Sequence, residues 1–337
     1  MRPATLRRLA PLRAAHLRAA HLRAAHLLAV LLTIALLQAC AAPQAGEANA
    51  APVALAELAP GIYVHSGLIE DWLPTNGGDI ANLGIVVGTR CVAVIDTGGT
   101  PQLGLRWRAA IERVTKLPVC FVFDTHAHPD HVLGNAAFAG PATTFVAGAK
   151  FDAAMSAREP YFLNALARDF GISVAPGSLP YPTVAVAVDG AREFDIGGRI
   201  LVAQSWPTAH TDNDMTVYDR SSRTLFAGDL LFVQHIPVVD GNLNGWLAAL
   251  PRLAQIDAAR VVPGHGPVQP GGADAWKPER EYLEDLRRET RAAIKSYRTL
   301  SQAVDSVGVQ AAARWKLADL FHRRNVTAAY AELEWED

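Results

Sequence analysis

Three histidines and one aspartate occur together in residues 125–131, whose sequence is THAHPDH. This segment follows the apolar run VCFVF at 119–123, and the run predicts a strand. We expect the tight loop after that strand to aim His126 and His128 at one metal ion, while Asp130 and His131 turn toward a second one. Imidazole nitrogen and carboxylate oxygen bind zinc at roughly 2.0–2.2 Å. The string HxHxDH therefore predicts a metal site.

Three further candidate ligands follow along the chain, each at a point where we expect a strand to end. They are His210 in TAHTDND, Asp229 in LFAGDL and His265 in VPGHGP. The order HxHxDH, His, Asp and GHG resembles the metallo-β-lactamase superfamily. The resemblance implies an α/β fold, an αββα four-layer sandwich whose metals lie in a groove at one edge of the two sheets.

The same resemblance implies two zinc ions per chain, bridged by Asp229. Two Zn²⁺ ions bring four positive charges, which two carboxylates and a bridging hydroxide offset by three, and the histidines would be neutral ligands. The small remaining positive charge suits an electrophilic site. The resemblance assigns His126, His128 and His210 to the first ion, and Asp130, His131 and His265 to the second.

A site of this kind predicts a hydrolase acting on a small-molecule substrate. Two zincs would lower the pKa of a shared water from about 15.7 toward about 7, which makes hydroxide available at neutral pH. The hydroxide would attack the carbonyl of an ester, thioester, lactone or amide, and the first zinc would stabilise the oxyanion. Asp130 is the candidate catalytic residue, because it would position the hydroxide and relay its proton to the leaving group.

Three other residues are candidates around this site. Asp96 lies in the turn DTG after the run 92–95, and the resemblance implies that it orients a ligand histidine or the loop that bears it. An Asp-Gly turn also closes strands without any function. Trp72 and His235 are candidate substrate contacts, with a packed tryptophan and an ordinary loop histidine as the alternatives, the latter favoured. His65 and His322 are interpreted as structural.

Several segments resemble one branch of the superfamily, the quinoprotein relay system zinc metallohydrolases, which is related to a hydrolase-like protein of sulfur-oxidation gene clusters. The segments are GDIANLGIVVG, VAVIDTGG, THAHPDHVLGNAAF, AGDLLFVQHIPVVDG and NVTAAYAELEWE. This resemblance implies a periplasmic zinc hydrolase associated with a PQQ-dependent quinoprotein dehydrogenase or its cytochrome c system.

Two other functions are compatible with the same residues. Hydrolysis of β-lactams is not one of these two functions, because true β-lactamases usually carry a cysteine where this chain has Asp229.

The first of the two alternatives is an enzyme with a single iron that resembles sulfur dioxygenases. The other is a non-catalytic periplasmic factor in which zinc only holds the sheets together.

Short apolar runs alternate with helical patterns from Gly61 onward, which indicates one domain at 55–270 and a helical extension at 271–337. The extension should pack over one edge of the sheet, and the alternative is that it also lines the substrate pocket. Helices are predicted at 101–116, 148–170 and 244–256. Strands are predicted at 62–65, 80–87, 92–95, 119–123, 143–146, 184–188, 200–205, 215–218 and 224–227.

Residues 1–39 read as a secretory signal, because six arginines without any acid precede an apolar run at 27–37. That run is about 11 residues long, whereas a membrane span takes roughly 20. Cys40 could carry a lipid anchor if LQAC is a lipoprotein box, and ordinary cleavage is the alternative. We therefore expect a periplasmic protein that meets the membrane only through such an anchor.

Charge and cysteine content narrow the function classes further. Removal of the six arginines would take the formal charge from −2 to −8, which argues against a nucleic-acid partner.

Cys91 and Cys120 remain as the cysteines of the mature chain. We expect two buried free thiols, with a disulfide as the alternative if their strands are adjacent.

Overall fold

The computed structural model describes residues 53–336. Within this range a seven-stranded sheet contains the strands in chain order, antiparallel from β1 to β4 and parallel from β4 to β7. Its strands are β1 (Ala56–Ala59), β2 (Ile62–His65), β3 (Leu83–Val87), β4 (Val92–Ile95), β5 (Val119–Phe123), β6 (Thr144–Gly148) and β7 (Val184–Val186).

A six-stranded sheet follows in the order β13-β12-β11-β10-β9-β8, and all of its neighbouring strands are antiparallel except β11 and β12. Its strands are β8 (Ala191–Asp195), β9 (Ile200–Ser205), β10 (Met215–Asp219), β11 (Thr224–Phe232), β12 (Arg260–His265) and β13 (Gln269–Pro270).

Eight α-helices and three short 3-10 helices occur in the same described range. The 3-10 helices are Pro74–Asn76, Asn135–Phe138 and Ala273–Ala275. The α-helices are α1 (Pro101–Val114), α2 (Pro129–Val132), α3 (Phe151–Asp169), α4 (Leu243–Ala254), α5 (Lys277–Lys295), α6 (Leu300–Val304), α7 (Val309–Ala312) and α8 (Ala318–Leu333).

Helix α1 shows how local sequence sets one of these elements. Thr100 caps its first turn by accepting a hydrogen bond from Leu103 N, and Pro101 occupies the first helical position. Apolar residues then recur at helical spacing, and Trp107 is fully buried with them. This face packs on the outer side of the first sheet, against residues of β3, β4 and β5.

Four layers result from the distribution of the apolar side chains. One core lies between the sheets and joins residues such as Phe123 and Val217. A second covers the outer face of the second sheet, where α4, α5 and α8 pack. All nine residues of β11 are buried, as expected for a strand covered on both faces. The predicted αββα architecture with a C-terminal helical segment is thereby confirmed.

The sequence pattern missed some strands and misplaced the start of another, and the reasons lie in the residues of these strands. Strand β8 has the sequence AREFD, and only Phe194 is buried in it. The alternation of apolar and polar residues that predicts a strand is therefore absent from β8. Strand β12 contains Pro263 and Gly264, which weaken a strand prediction. The run predicted at 80–87 pairs with its neighbours only from Leu83 onward.

Cys91 and Cys120 form a disulfide, so the expectation of two free thiols was wrong. The reason is the parallel pairing of β4 and β5, in which Val92 faces Val119 and Ala93 faces Phe121 across a register shift. This pairing brings the two cysteine Cα atoms to 5.8 Å, within the range that a disulfide spans.

The predicted signal at 1–39 and the anchor residue Cys40 lie outside the described residues. Within residues 53–336, no helix combines the length and the apolar character needed to cross a bilayer.

Candidate metal centre

The seven predicted ligands come together at one edge of the two sheets. His126 and His128 lie in the loop after β5, and Asp130 and His131 belong to α2, which follows directly. His210 lies between β9 and β10, and His265 is the last residue of β12. Asp229 does not end a strand as expected, because β11 continues to Phe232.

A bulge inside β11 places Asp229 at the site. The pairing of β11 with β12 shifts on both sides of Gly228, whose φ is +53°. A Cβ atom on Gly228 would lie 2.8 Å from the side chain of Thr125. A Cβ on Gly264 would lie only 1.8 Å from Oδ1 of Asp229. Both glycines are needed, because the backbone passes too close to its neighbours for a side chain.

The ligand atoms form two groups, and the atoms of each group lie within 4.8 Å of one another. In the first group, Nδ1 of His128 lies 3.0 Å from Nε2 of His126 and 3.1 Å from Nε2 of His210. In the second group, Oδ2 of Asp130 lies 3.1 Å from Nε2 of His265 and 3.4 Å from Nε2 of His131. Each group has the donor set of a metal site.

The carboxylate of Asp229 lies between the groups. Its Oδ2 is 3.4 Å from Nε2 of His210 and 3.5 Å from Nε2 of His265. Its Oδ1 is 3.2 Å from Nε2 of His131. One carboxylate therefore reaches histidines of both groups.

Each of the five histidines has its other ring nitrogen held by an oxygen from outside the cluster. Because a carbonyl can only accept, His210 and His265 donate from Nδ1, which leaves Nε2 as a free lone pair for a metal. The partners are Thr125 Oγ1 for His126 at 3.1 Å, Asp240 Oδ2 for His128 at 3.0 Å, Asp96 Oδ2 for His131 at 2.8 Å, Val238 O for His210 at 2.7 Å and Ile80 O for His265 at 2.9 Å.

Asp96 connects the end of β4 to the loop that carries the histidines. Besides its contact with Nδ1 of His131, its carboxylate accepts hydrogen bonds from the backbone N and from Oγ1 of Thr125, at 2.8 and 2.9 Å. Its φ of +58° places it in the left-handed region, which aspartate tolerates better than most residues. The structure thus places Asp96 where it orients both a candidate ligand and its loop.

The turn TDND after His210 also holds the histidine loop. Oδ1 of Asn213 accepts a hydrogen bond from Ala127 N at 2.8 Å. Asp214 accepts hydrogen bonds from the backbone and hydroxyl of Thr211, and burial raises its pKa to about 8. The turn is therefore a rigid, buried support for residues on both sides of the site.

Burial and the charges of neighbouring ligands strongly shift the pKa values of the candidate ligands. Burial lowers the pKa of His210 to about 4. Burial also opposes a charge on His265, but Asp229 and Asp130 outweigh it and raise the pKa of His265 to about 9. Burial would raise the pKa of Asp229, but the neighbouring His265 and His131 outweigh burial and hold this pKa well below the usual range. The cluster is a set of coupled charges shielded from water.

Among the seven candidate ligands, two buried side-chain atoms lack a hydrogen-bond partner, namely Nε2 of His131 and Oδ1 of Asp229. They lie 3.2 Å apart without the geometry of a hydrogen bond. Both atoms carry lone pairs when imidazole and carboxylate act as ligands, so a cation between them would satisfy both. The residues present therefore fit a metal centre.

The family model of the metallo-β-lactamase superfamily matches residues 76–265. This chain belongs to that superfamily. A curated relative, a Beta-lactamase-like protein 2 homolog from Caenorhabditis elegans, is 28% identical over 108 residues, which cover 32% of this chain and 35% of the relative. The chain thus matches about a third of the length of that relative.

Solved structures share the fold of this superfamily member. A stereoselective inverting sec-alkylsulfatase from Pseudomonas sp. superposes with a TM-score of 0.61 at 17% identity, covering 84% of this chain and 50% of the other. A metallo-β-lactamase from Pontibacter korlensis gives a TM-score of 0.54 at 22% identity, covering 69% of this chain and 99% of the other. At these identities the likeness concerns the fold.

A cavity of about 590 Å³ opens over the cluster of this metallo-β-lactamase-fold protein. Phe321 and Arg324 of α8 line it. The backbone of the extension also pairs with the loop beside the site, since Ile236 N donates to Lys316 O at 3.1 Å. The C-terminal extension therefore does more than cover a sheet edge, which corrects the favoured expectation.

Trp72 and His235 both line this cavity. The indole of Trp72 donates to Gly99 O at 3.0 Å and packs on Phe170, so it is packed and also faces the cavity.

His235 is 3% exposed and donates from Nδ1 to Ile236 O at 2.6 Å. Burial lowers its pKa to about 4, and its ring centroid lies 5.0 Å from that of His265. His235 is a buried wall residue, not a solvated loop histidine.

The two histidines interpreted as structural lie outside the cluster. His65 bridges Ala54 O and Asp79 at 2.9 and 2.6 Å. His322 lies between the Tyr282 hydroxyl and Val307 O at 3.0 and 2.8 Å.

Sequence reasoning missed three residues that support the site. Oδ2 of Asp240 accepts from His128 and also forms an ion pair with Arg158, with Nη2 of Arg158 at 2.9 Å. Asn82 donates to the carbonyls of Pro263 and Gly266 at 2.8 Å and so fixes the GHG loop. Asp240 lies in the same loop as the candidate His235, whereas Arg158 and Asn82 lie far from the predicted ligands in sequence and gave no local signal.

Proposed function

We propose that this protein is an exported, two-zinc hydrolase that cleaves an ester, thioester, lactone or amide bond of a small molecule. The single observation that carries the proposal is the position of Asp229. Its carboxylate lies within 3.5 Å of histidines from both ligand groups, which suits a residue that bridges two ions.

The donor set supports zinc as the metal. His126, His128 and His210 would hold one ion and Asp130, His131 and His265 the other, and imidazole with carboxylate is a common zinc environment. When bound, the two ions would supply an activated water and polarise the carbonyl of the substrate.

The protein groups contribute position and proton transfer. Asp130 lines the cavity while its Oδ2 contacts His265, so it can hold a proton at the reacting edge and pass it to a leaving group. Trp72 and His235 would contact the substrate, because both line the cavity. The aromatic walls, among them Phe232 and Phe321, would exclude water around the scissile bond.

Export is supported by the disulfide between Cys91 and Cys120, because such bonds persist in oxidising compartments. We extend the proposal to the periplasm, with Cys40 as a lipid anchor if the lipoprotein box is used. The resemblance to quinoprotein relay system metallohydrolases further suggests a PQQ-dependent dehydrogenase or a cytochrome c as the partner system. Because an aspartate stands at 229, we do not propose β-lactams as the preferred substrates.

The test combines metal analysis with a substrate screen on the purified protein. We expect nearly two zinc ions per chain and hydrolysis of at least one class in a panel of esters, thioesters, lactones, amides and β-lactams. His126→Ala should lose metal and lower the rate by roughly 10³-fold, since a metal contributes several kcal/mol to the transition state. His322→Ala is the matched control, because it removes a buried histidine outside the cluster and should keep the metal.

Two results would overturn the proposal. One iron per chain with oxygen uptake would favour a sulfur dioxygenase-like enzyme. Two zincs without an exchangeable water and without any hydrolysis would favour a non-catalytic zinc-binding factor.

A further inference from the structure

Three arginines line the cavity above the cluster, and two of them are neutralised by carboxylates. Arg158 forms an ion pair with Asp240 at 2.9 Å, and Arg168 forms one with Asp169 at 2.6 Å. Nη1 of Arg158 is buried without an acceptor, but the charge of this side chain is already compensated. Within residues 53–336, Arg324 forms no ion pair, and its guanidinium carbon lies 5.8 Å from the ring centroid of Phe321. Arg324 therefore brings an uncompensated positive charge to the cavity wall.

The helix that carries Arg324 is fixed to the site by the next residue. Asn325 is fully buried, and its Oδ1 accepts from Val239 N at 2.9 Å. Its Nδ2 donates to Pro237 O at 2.6 Å and to the Tyr282 hydroxyl at 2.9 Å. Because residues 237–239 belong to the loop that anchors His210, the backbone of Arg324 is held in a defined place relative to the cluster.

A row of aromatic rings separates Arg324 from the candidate ligands. The centroid of Phe321 lies 5.4 Å from that of His235, which lies 5.0 Å from that of His265. A ligand that reached from the cluster to Arg324 would run along this row. Its middle part should therefore be apolar or aromatic, and its far end should be anionic.

The negative charges of the wall are placed on other elements. Glu70 and Asp71 line the cavity from the loop between β2 and β3, where Glu70 accepts from the Asn76 amide and Asp71 from the backbone N of Trp72. Since like charges repel, these carboxylates would direct an anionic group away from that loop and toward α8.

We propose that Arg324 is a specificity-determining residue, which selects substrates with a carboxylate separated from the scissile bond by an apolar or aromatic spacer. This inference rests on the proposed hydrolase function of the same cavity. The guanidinium would form a charge-assisted hydrogen bond with the carboxylate, while the spacer packs along Phe321 and His235.

The test compares two esters that differ only in charge, phenyl acetate and 4-acetoxybenzoate. Arg324→Gln should raise the KM for 4-acetoxybenzoate about tenfold, as for the loss of a hydrogen bond to a charged group, without a comparable change in kcat. The KM for phenyl acetate should stay the same. Arg324→Lys should restore most of the preference for the anionic ester.

Arg323→Gln is the matched control. Arg323 precedes Arg324 on the same helix and pairs with Asp305 at 2.8 Å, and it does not line the cavity. Its substitution changes the net charge by the same amount and should leave both KM values unchanged. Equal effects on the two esters, or equal effects of the two arginine variants, would overturn the proposal.

A binding measurement separates this inference from the proposed function. Calorimetry of the full protein with 4-hydroxybenzoate and with phenol does not require turnover. We expect the wild type to bind 4-hydroxybenzoate more tightly than phenol, and Arg324→Gln to abolish that difference. If neither ester is cleaved but this difference holds, the hydrolase proposal fails while the anion preference stands. Equal binding of both probes by the wild type would overturn the role of Arg324.

Discussion

Two regions beside strand β11 bury carboxyl groups with opposite outcomes. In the His/Asp cluster, Asp229 is 4% exposed, and the histidines around it hold its pKa well below the usual range although burial opposes this. In the helical layer α5–α8, Glu279 is 1% exposed, and burial raises its pKa well above the usual range. Burial alone does not decide the charge of an acid; the groups that face it do.

The two regions also differ in what stabilises them. The cluster packs ionisable side chains against one another, which costs free energy unless a cation joins them. The helical layer buries apolar side chains such as Leu283 and Leu286 completely and contributes much of the outer core. We therefore expect changes in the layer to affect stability and changes in the cluster to affect metal binding.

The largest expected effect separates stability from metal binding. Leu286→Ala should lower the free energy of unfolding by about 3 kcal/mol, because it leaves a cavity in a fully buried position. Urea denaturation measures this, and the metal content of the folded protein should not change. Leu320→Ala is the control, since Leu320 is 45% exposed on α8 and its loss should cost less than about 0.5 kcal/mol. A loss of metal in folded Leu286→Ala would break the separation of the two regions.

A smaller effect is expected for Asp96→Asn. Asp96 accepts three hydrogen bonds, from two groups of Thr125 and from His131, and an amide cannot accept all of them. Metal affinity, measured by competition with a chelator, should fall roughly ten- to hundredfold while the fold persists. Asp189→Asn is a close control, because Asp189 also has a φ of +58°. An unchanged affinity in Asp96→Asn would show that Asp96 supports only the turn.

The change that is smallest per pH unit tests the comparison of the two acids. The pKa of Glu279 is higher in the folded protein than in the unfolded chain. Protonation of Glu279 therefore contributes its full stabilisation below the pKa of the unfolded chain, and this stabilisation is lost as the pH rises through the pKa of the folded protein. Glu279→Gln keeps an acceptor for Phe232 N and carries no proton to lose. From about pH 4.5 upward, the variant should gain up to about 1.4 kcal/mol per pH unit relative to the wild type. Parallel curves of stability against pH for the two proteins would show that Glu279 does not titrate in this range.

Local sequence was sufficient wherever the determining residues are close together. The six residues from His126 to His131 follow one strand end and enter one short helix, so their closeness could be predicted, although Asp96 and Asn213 hold the loop in place. The apolar spacing of α1 and its cap were equally local. His210, Asp229 and His265 were recognised only because their order and flanking motifs resemble a known superfamily.

The sequence by itself thus determined which side chains can bind a metal, because ligand chemistry belongs to the residue. Tertiary structure decided which ring nitrogen each histidine presents, the disulfide between β4 and β5, and the arrival of Arg324 at the cavity. These features depend on contacts such as His265 with Ile80, which are 185 positions apart. Such contacts follow from strand pairing, register and helix packing over long distances, and no local pattern of residues encodes them.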